Sequence, residues 1–480
     1  MAAARKMTEG PIRGHLLAYA LPLILGNLFQ LTYNAVDTIV IGKFAGERAL
    51  AAVSAADPVM TIVILGVSGI SIGTSVLMSR FFGAGEEDKL RREVATTMLF
   101  GAGTSAVVFV LGLLLAGGIL RLLNVPDEIL SMATVYLRII FVGFLFTFQY
   151  NILSASLRSV GDSRTPVVYL ALSSVLNGCL DVVFIAGLRW GVAGAGLATV
   201  IAQAVSCLLC LRRMQRSVPM LRLSRGDLRI DRALLRETLS SGSITALQQA
   251  CQPVGKVLIQ SVINAQGVAV IAAFNAVSRV DDFACIPEQS ISAAMMTCAA
   301  QNRGAGQKMR VKETLRVGMR LEAVYGVLIL LVVQLVKLPV MHLFAAQDSA
   351  QMVAMGVDYL SLMAFFYILP GMTNGIQGFF RGMGEMKTTL VATFIQISIR
   401  TLVVYLLVPR VGISGAALAC AIGWSFMLLY AYFRYRTVAK QLEKKDGKIS
   451  AKRRRESEGW NPSGRVWGLR PQRIHYIRKR

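Results

Sequence analysis

Histidine and charge are what this chain has least of. Its 480 residues include three histidines and 27 acids, and only 16% are charged, where a soluble protein is about a quarter charged. So little charge cannot cover a water-facing surface, and the mean hydropathy of +0.56 points to a polytopic helical membrane protein. The histidines, at 15, 342 and 475, are scattered, so no metal site is expected. The seven cysteines (179, 207, 210, 251, 285, 298 and 420) all lie in apolar segments. Cys207 and Cys210 have CxxC spacing without a histidine or acid beside them, which favours packing over zinc or redox chemistry. No nucleophile stands near a base and no cluster has metal-ligand spacing, so neither an enzyme nor a cofactor is expected. The first 14 residues are polar and lack an apolar core, so no cleaved signal peptide is expected.

What the chain does have is long apolar runs. Hydropathy and helix breakers give twelve candidate spans, and the fold class expected is an all-α integral membrane protein. The first six run over 15–42, 49–79, 94–120, 129–155, 166–188 and 190–211. The second six run over 238–264, 268–300, 317–343, 352–380, 388–409 and 412–433. With the N-terminus inside, 41 Lys and Arg residues fall in inner segments and six in outer loops. The positive-inside rule therefore expects both termini in the cytoplasm of a multi-pass membrane protein. The net charge of +24 is mostly topology, and no nucleic-acid partner is expected.

The chain repeats itself. SRFFGAGEEDKLRRE at 79–93 returns as AQNRGAGQKMRVKET at 300–314, and LAAVSAADPV at 50–59 returns as IAAFNAVSRV at 271–280. GVAGAGLA at 191–198 returns as GISGAALA at 412–419, and RSVGDSRT at 158–165 as RGMGEMKT at 381–388. Offsets of 221 and 223 residues make two six-helix halves, and an even number per half makes them parallel repeats. The expected organisation is a cytoplasmic N-terminus (1–14), a first lobe (15–211), a cytoplasmic linker (212–237), a second lobe (238–436) and a basic, disordered tail (437–480). Such halves rock about a central site, which is alternating access.

Few polar residues interrupt the spans, and they are the site candidates. Asn177 and Asp181 stand four apart near the middle of 166–188, on one helix face. A carboxylate at membrane depth costs at least ~2.5 kcal/mol, so it needs a partner or a task. Asp37 is the only acid of its span; Asn34 precedes it by three residues, and Pro22 permits a kink fifteen residues before it. Thr199 adds a hydroxyl in span six. Oxygens of this kind suit Na⁺, and the carboxylates equally suit a proton. In the second half, span seven offers Gln252 and span eight offers Arg279, Asp281, Asp282 and Glu288. Arg279 and Asp282 are spaced to pair across one turn. Glu288 reads either as a cavity acid for cationic compounds or as a partner of Arg400. Twenty methionines and 21 phenylalanines suit a plastic apolar cavity.

Over residues 15–436 the sequence resembles the multidrug and toxic compound extrusion transporters. The resemblance rests on the twin GAG loops, on AAFNAVSRVDDF with CIPEQSISAAMMTCAAQNRGAG after it, and on the two RxxG turns. It implies two six-helix lobes set in a V, exporting amphipathic or cationic compounds, as a monomer in membrane lipid, against inflow of H⁺ or Na⁺. It further implies a cation-coupling site of Asp37, Asn177, Asp181 and Thr199, with Pro22 as a hinge, and a substrate cavity touching Asn34, Gln252, Asp282 and Glu288. Many relatives have an acid where Gln252 stands, which weakens the case for a second-lobe cation site. A flippase for lipid-linked saccharides is the alternative, but it would want a basic cavity.

Overall fold

The computed structural model describes residues 5–344 and 350–457, except for the side chains of Asn34 and 441–457. Regular structure among these residues is all helical. The first half holds α1 (Ile12–Val40), α2 (Glu47–Ala84), α3 (Glu87–Leu122), α4 (Asp127–Ser159), α5 (Arg164–Asp181) and α6 (Gly191–Ser217). The second half holds α7 (Arg232–Asn264), α8 (Val268–Gly304), α9 (Lys308–Phe344), α10 (Ala350–Phe366), α11 (Ile368–Gly382), α12 (Met386–Val411) and α13 (Ser414–Ser457). Thirteen helices make twelve crossings, because α10 and α11 are one span bent by 47°. The break at Tyr367 has a cause in sequence. Pro370, in the first turn of α11, has no N–H to donate back to α10.

Nine described helices are long and apolar enough to cross a bilayer, and the bent pair makes ten. The two that fall short, α7 and α8, carry Gln248, Gln252 and Lys256, and Arg279, Asp281, Asp282 and Glu288. Several helices outrun the expected spans. At ~1.5 Å per residue, the 38 residues of α2 far exceed a ~30 Å hydrocarbon core.

Two expected boundaries differ from those observed. The helix after Ser414 continues past 437 to Ser457, because QLEKKDGKISAKRRRE is rich in good helix formers; residues 458–480 lie outside the described residues. The linker expected over 212–237 is shorter, because α6 continues to Ser217. Val218 and Leu221 are buried in a core with Cys207, Cys210, Leu153 and Leu157, and α7 begins at Arg232, capped by Asp231. Cys207 and Cys210 are free thiols in that packing.

The internal repeat is visible in the backbone. Eight of the nine left-handed glycines among the described residues fall in pairs, Gly46 with Gly267, Gly85 with Gly306, Gly161 with Gly384 and Gly191 with Gly412, at the sequence offsets. Gly85 (φ 72°) and Gly306 (φ 71°) close the two GAG loops, a turn that a side chain would strain.

The halves meet at the end bearing the N-terminus and the GAG loops. There α2 packs on α7 and α8, and α1 on α8. Small residues allow the approach: a Cβ on Gly69 would stand 2.5 Å from Ala246, and one on Gly73 2.9 Å from the Gly242 nitrogen. Arg80 pairs with Glu237 at 2.9 Å, Thr238 donates to buried Glu93 at 2.5 Å, and Tyr19 meets Thr297 at 3.0 Å. Residues 5–9 lie across this seam. The Arg5 N–H donates to the Val160 carbonyl at 2.9 Å, and the Met7 N–H donates to Gln301 Oε1 at 2.9 Å. Asn302 and Arg310 donate to the Met7 carbonyl. Toward the other end each half has its own core, built around Leu137 and Ile185 in the first and around Tyr359 and Val404 in the second. Within residues 5–429, then, the two halves are in contact at the N-terminal end.

Candidate functional site

The first-half candidates converge where α1 and α5 change pitch. Asp37 lies four residues before a π-turn at Ile41–Ala45, and Asp181 immediately before another at Val182–Gly187. Such turns are rare and recur at functional sites. Asp181 and Asn177 are buried, on the shared face their spacing predicts, and Asn177 Nδ2 donates to Asp181 Oδ2 at 2.9 Å. Asp37 of α1 is the charged neighbour of Asp181, whose buried Oδ1 meets no donor among the described residues. Tyr33, one turn before Asp37, donates its hydroxyl to Asn177 Oδ1, tying α1 to α5. Tyr136 of α4 faces Asp37, Asp181 and Asp57.

Tyr33 and Tyr136 are additions to the set drawn from sequence. Tyr33 was findable, since it precedes Asp37 by four on a helix; Tyr136 reaches the site only through the packing of α4. Thr199 does not join the hydrogen-bonded group, because its hydroxyl donates to the Ala195 carbonyl of its own helix at 3.0 Å. Pro22 lies inside α1, which runs unbroken from Ile12 to Val40. The side chain of Asn34 lies outside the described residues. Beside the carboxyls is a cavity of about 530 Å³ between α1 and α5, walled by Phe29, Tyr33, Val36, Val175, Cys179 and Val182. Thr32, Tyr33 and Ser174 are the polar residues of an otherwise apolar lining.

The second half arranges its polar residues differently from the expectation. Asp282 is exposed and pairs with Lys256 of α7 at 3.4 Å, rather than with Arg279, because the neighbouring helix brings an ammonium closer than the same-helix guanidinium. Asp281 turns inward and accepts from the Tyr367 hydroxyl at 2.5 Å, at the break between α10 and α11. Glu288 is buried and accepts from Asn374 Nδ2 at 3.2 Å, whereas Arg400 faces Cys420, Tyr359 and Asp281. Gln252 is exposed beside Pro253. The buried glutamine of α7 is Gln248, which bonds Thr393 at 2.9 Å and Gln377 and accepts from Arg381 and Thr389, each at 3.2 Å. Glu322 of α9 is fully buried and was not among the sequence candidates. The two halves therefore share a backbone plan but not a site.

Comparison with known proteins bears on the family and the fold. The MatE family model matches twice, over residues 22–183 and 245–406, one match per half. The chain is 29% identical over 443 residues to "Probable multidrug resistance protein YpnP" of Bacillus subtilis, covering 90% of this chain and 97% of that protein. It is 26% identical over 367 residues to "FAD transporter" of Shewanella oneidensis, covering 76% and 79%. A solved structure described as the outward-facing conformation of a multidrug resistance MATE family transporter of the MOP superfamily superimposes with a TM-score of 0.85. It shares 21% identity and is covered at 92% of this chain and 100% of that one; at that identity it speaks to the fold. With two matched repeats spanning most of its length, the chain belongs to the MatE family and is a membrane efflux transporter, not an enzyme.

Proposed function

We propose that the protein exports amphipathic or cationic small molecules across a bacterial plasma membrane in exchange for protons, with both termini cytoplasmic and as a monomer. The observation that carries the reading is that Asp181 is fully buried, with its Oδ1 unserved by any donor among the described residues and a second acid, Asp37, as its charged neighbour. Two carboxylates cannot share such a space while both are charged, so the pair holds a proton or a cation. A proton suits the surroundings better than Na⁺. A proton on one carboxyl of the pair needs no further ligands and can be donated to the neighbouring carboxyl oxygen, whereas an ion would need several oxygens gathered around it. Pro22, fifteen residues before Asp37, is the point at which α1 can bend when that proton arrives.

Coupling then follows from state preference alone. The protonated first lobe holds the compound weakly and releases it outward; the deprotonated form favours the inward-open state and takes the next molecule. Contact between the halves at the N-terminal end supports assigning the present conformation to the outward-facing side of this cycle. The flippase alternative is not favoured, because the site residues Asp37 and Asp181 of the first lobe are acidic. Proteoliposomes without Na⁺ test the coupling: adding ethidium on the substrate side should drive proton movement the opposite way, measured with a pH-sensitive dye. Ethidium transport without proton movement would refute it.

A further inference from the structure

A second pair of acids lies away from the first-lobe site. Glu288 on α8 and Glu322 on α9 are both 0% exposed. Glu288 Oε2 accepts from Asn374, but its Oε1 and both oxygens of Glu322 meet no donor. Glu322 faces a notch in α11 left by two glycines, where a Cβ on Gly371 would lie 3.3 Å from Glu322 Oε2 and one on Gly375 3.0 Å from Glu322 Cγ. The groups facing the two acids are Asp281 and Cys285 of α8, Tyr325 of α9 and Asn374 of α11. None is a cation. The Tyr325 hydroxyl is committed to the Ala284 carbonyl at 2.8 Å.

With one amide donor on Glu288, none on Glu322 and no counter-ion facing either, these buried carboxylates are unstable as anions. A carboxylic acid in the same place carries its own donor, which can serve a neighbouring carboxyl oxygen. Three open oxygens from two side chains make a poor shell for a metal ion, which takes about six oxygens when the ion is a hard cation such as Mg²⁺ or Ca²⁺. We propose that Glu288 and Glu322 together bind a proton, giving the second lobe a proton site built from different helices than the first. The step is simple protonation, one carboxylate taking up H⁺ as a neutral acid, with no other bond made or broken. The proposal extends the antiport reading, but the bound proton itself does not depend on it.

Infrared difference spectroscopy of the full chain in lipid, titrated with acid and base in H₂O and D₂O, tests this directly. The wild type should show a protonated-carboxyl C=O band at neutral pH that shifts in D₂O. Glu288→Gln and Glu322→Gln should each abolish or shift that band, while Asp37→Asn and Asp181→Asn leave it in place. If the Gln variants do not fold, Glu322→Asp should shift the band. Spectra unchanged by all three substitutions would overturn the proposal. So would a wild-type band that disappears on adding NaCl at fixed pH, which would mark a sodium site. The spectra need no transport, so absence of ethidium efflux in the wild type would count against the export reading and not against this site.

Discussion

Gly83 lies so close to Gln301 that a Cβ on the glycine would stand 1.9 Å from the Gln301 carbonyl oxygen, and Gly304 repeats the contact against Arg80 at 2.0 Å. Each pair is the other shifted by 221 residues, so the pseudo-two-fold axis of the two halves passes between these helix ends. Here α2 and α8 touch backbone to backbone, and only glycine fits.

Gly83→Ala is therefore expected to push the N-terminal ends of the halves apart, since overpacking of this kind costs ~1–3 kcal/mol. Spin labels at exposed Lys89 and Met309 should report a longer distance than in an otherwise wild-type protein, with the transporter still folded. Gly304→Ala should do the same, and an unchanged distance in both would mean the contact tolerates a methyl group.

Residues 5–9 act as a clasp over the same seam. Removing residues 2–8 deletes the bonds of Arg5 and Met7 to both halves, each worth ~1 kcal/mol, or roughly fivefold in the balance of states. The same label pair should show a larger open population, and efflux should change through the rate of reopening rather than through substrate affinity.

Thr238→Val leaves the Glu93 carboxyl, buried where α3 meets α7, without its shortest donor. The expected loss is ~1–3 kcal/mol, read as a lower thermal midpoint. Thr238→Ser restores the hydroxyl and should restore most of the stability; no difference between Val and Ser would show that packing, not the hydrogen bond, matters there.

Tyr33→Phe removes the bond from α1 to Asn177 and keeps the ring. Efflux should fall by roughly three- to tenfold, matching ~1 kcal/mol, with expression unchanged. Efflux equal to wild type would make Tyr33 a wall of the cavity only.

Much of this architecture was legible in the chain. The repeated GAG and RxxG stretches gave the two halves, and the i, i+4 spacing of Asn177 and Asp181 gave their shared face, because both are local regularities. What escaped depended on neighbours distant in sequence. Lys256 takes Asp282 from Arg279 because α7 packs beside α8. Glu322 sits near one end of an apolar run, where an acid reads as a headgroup contact, and only the α11 glycines make it fully buried. Gln248 rather than Gln252 turns inward, because Gln248 meets Gln377, Thr389 and Thr393, partners on α11 and α12 that the spacing within α7 does not reveal.

The most direct test of the account is ethidium efflux by reconstituted wild type, Asp37→Asn and Asp181→Asn, driven in turn by a pH gradient and by a Na⁺ gradient. The account predicts wild-type efflux driven by the pH gradient, indifferent to Na⁺ and lost in both variants. Wild-type efflux in both variants would contradict it, because these acids of the first lobe would then be structural.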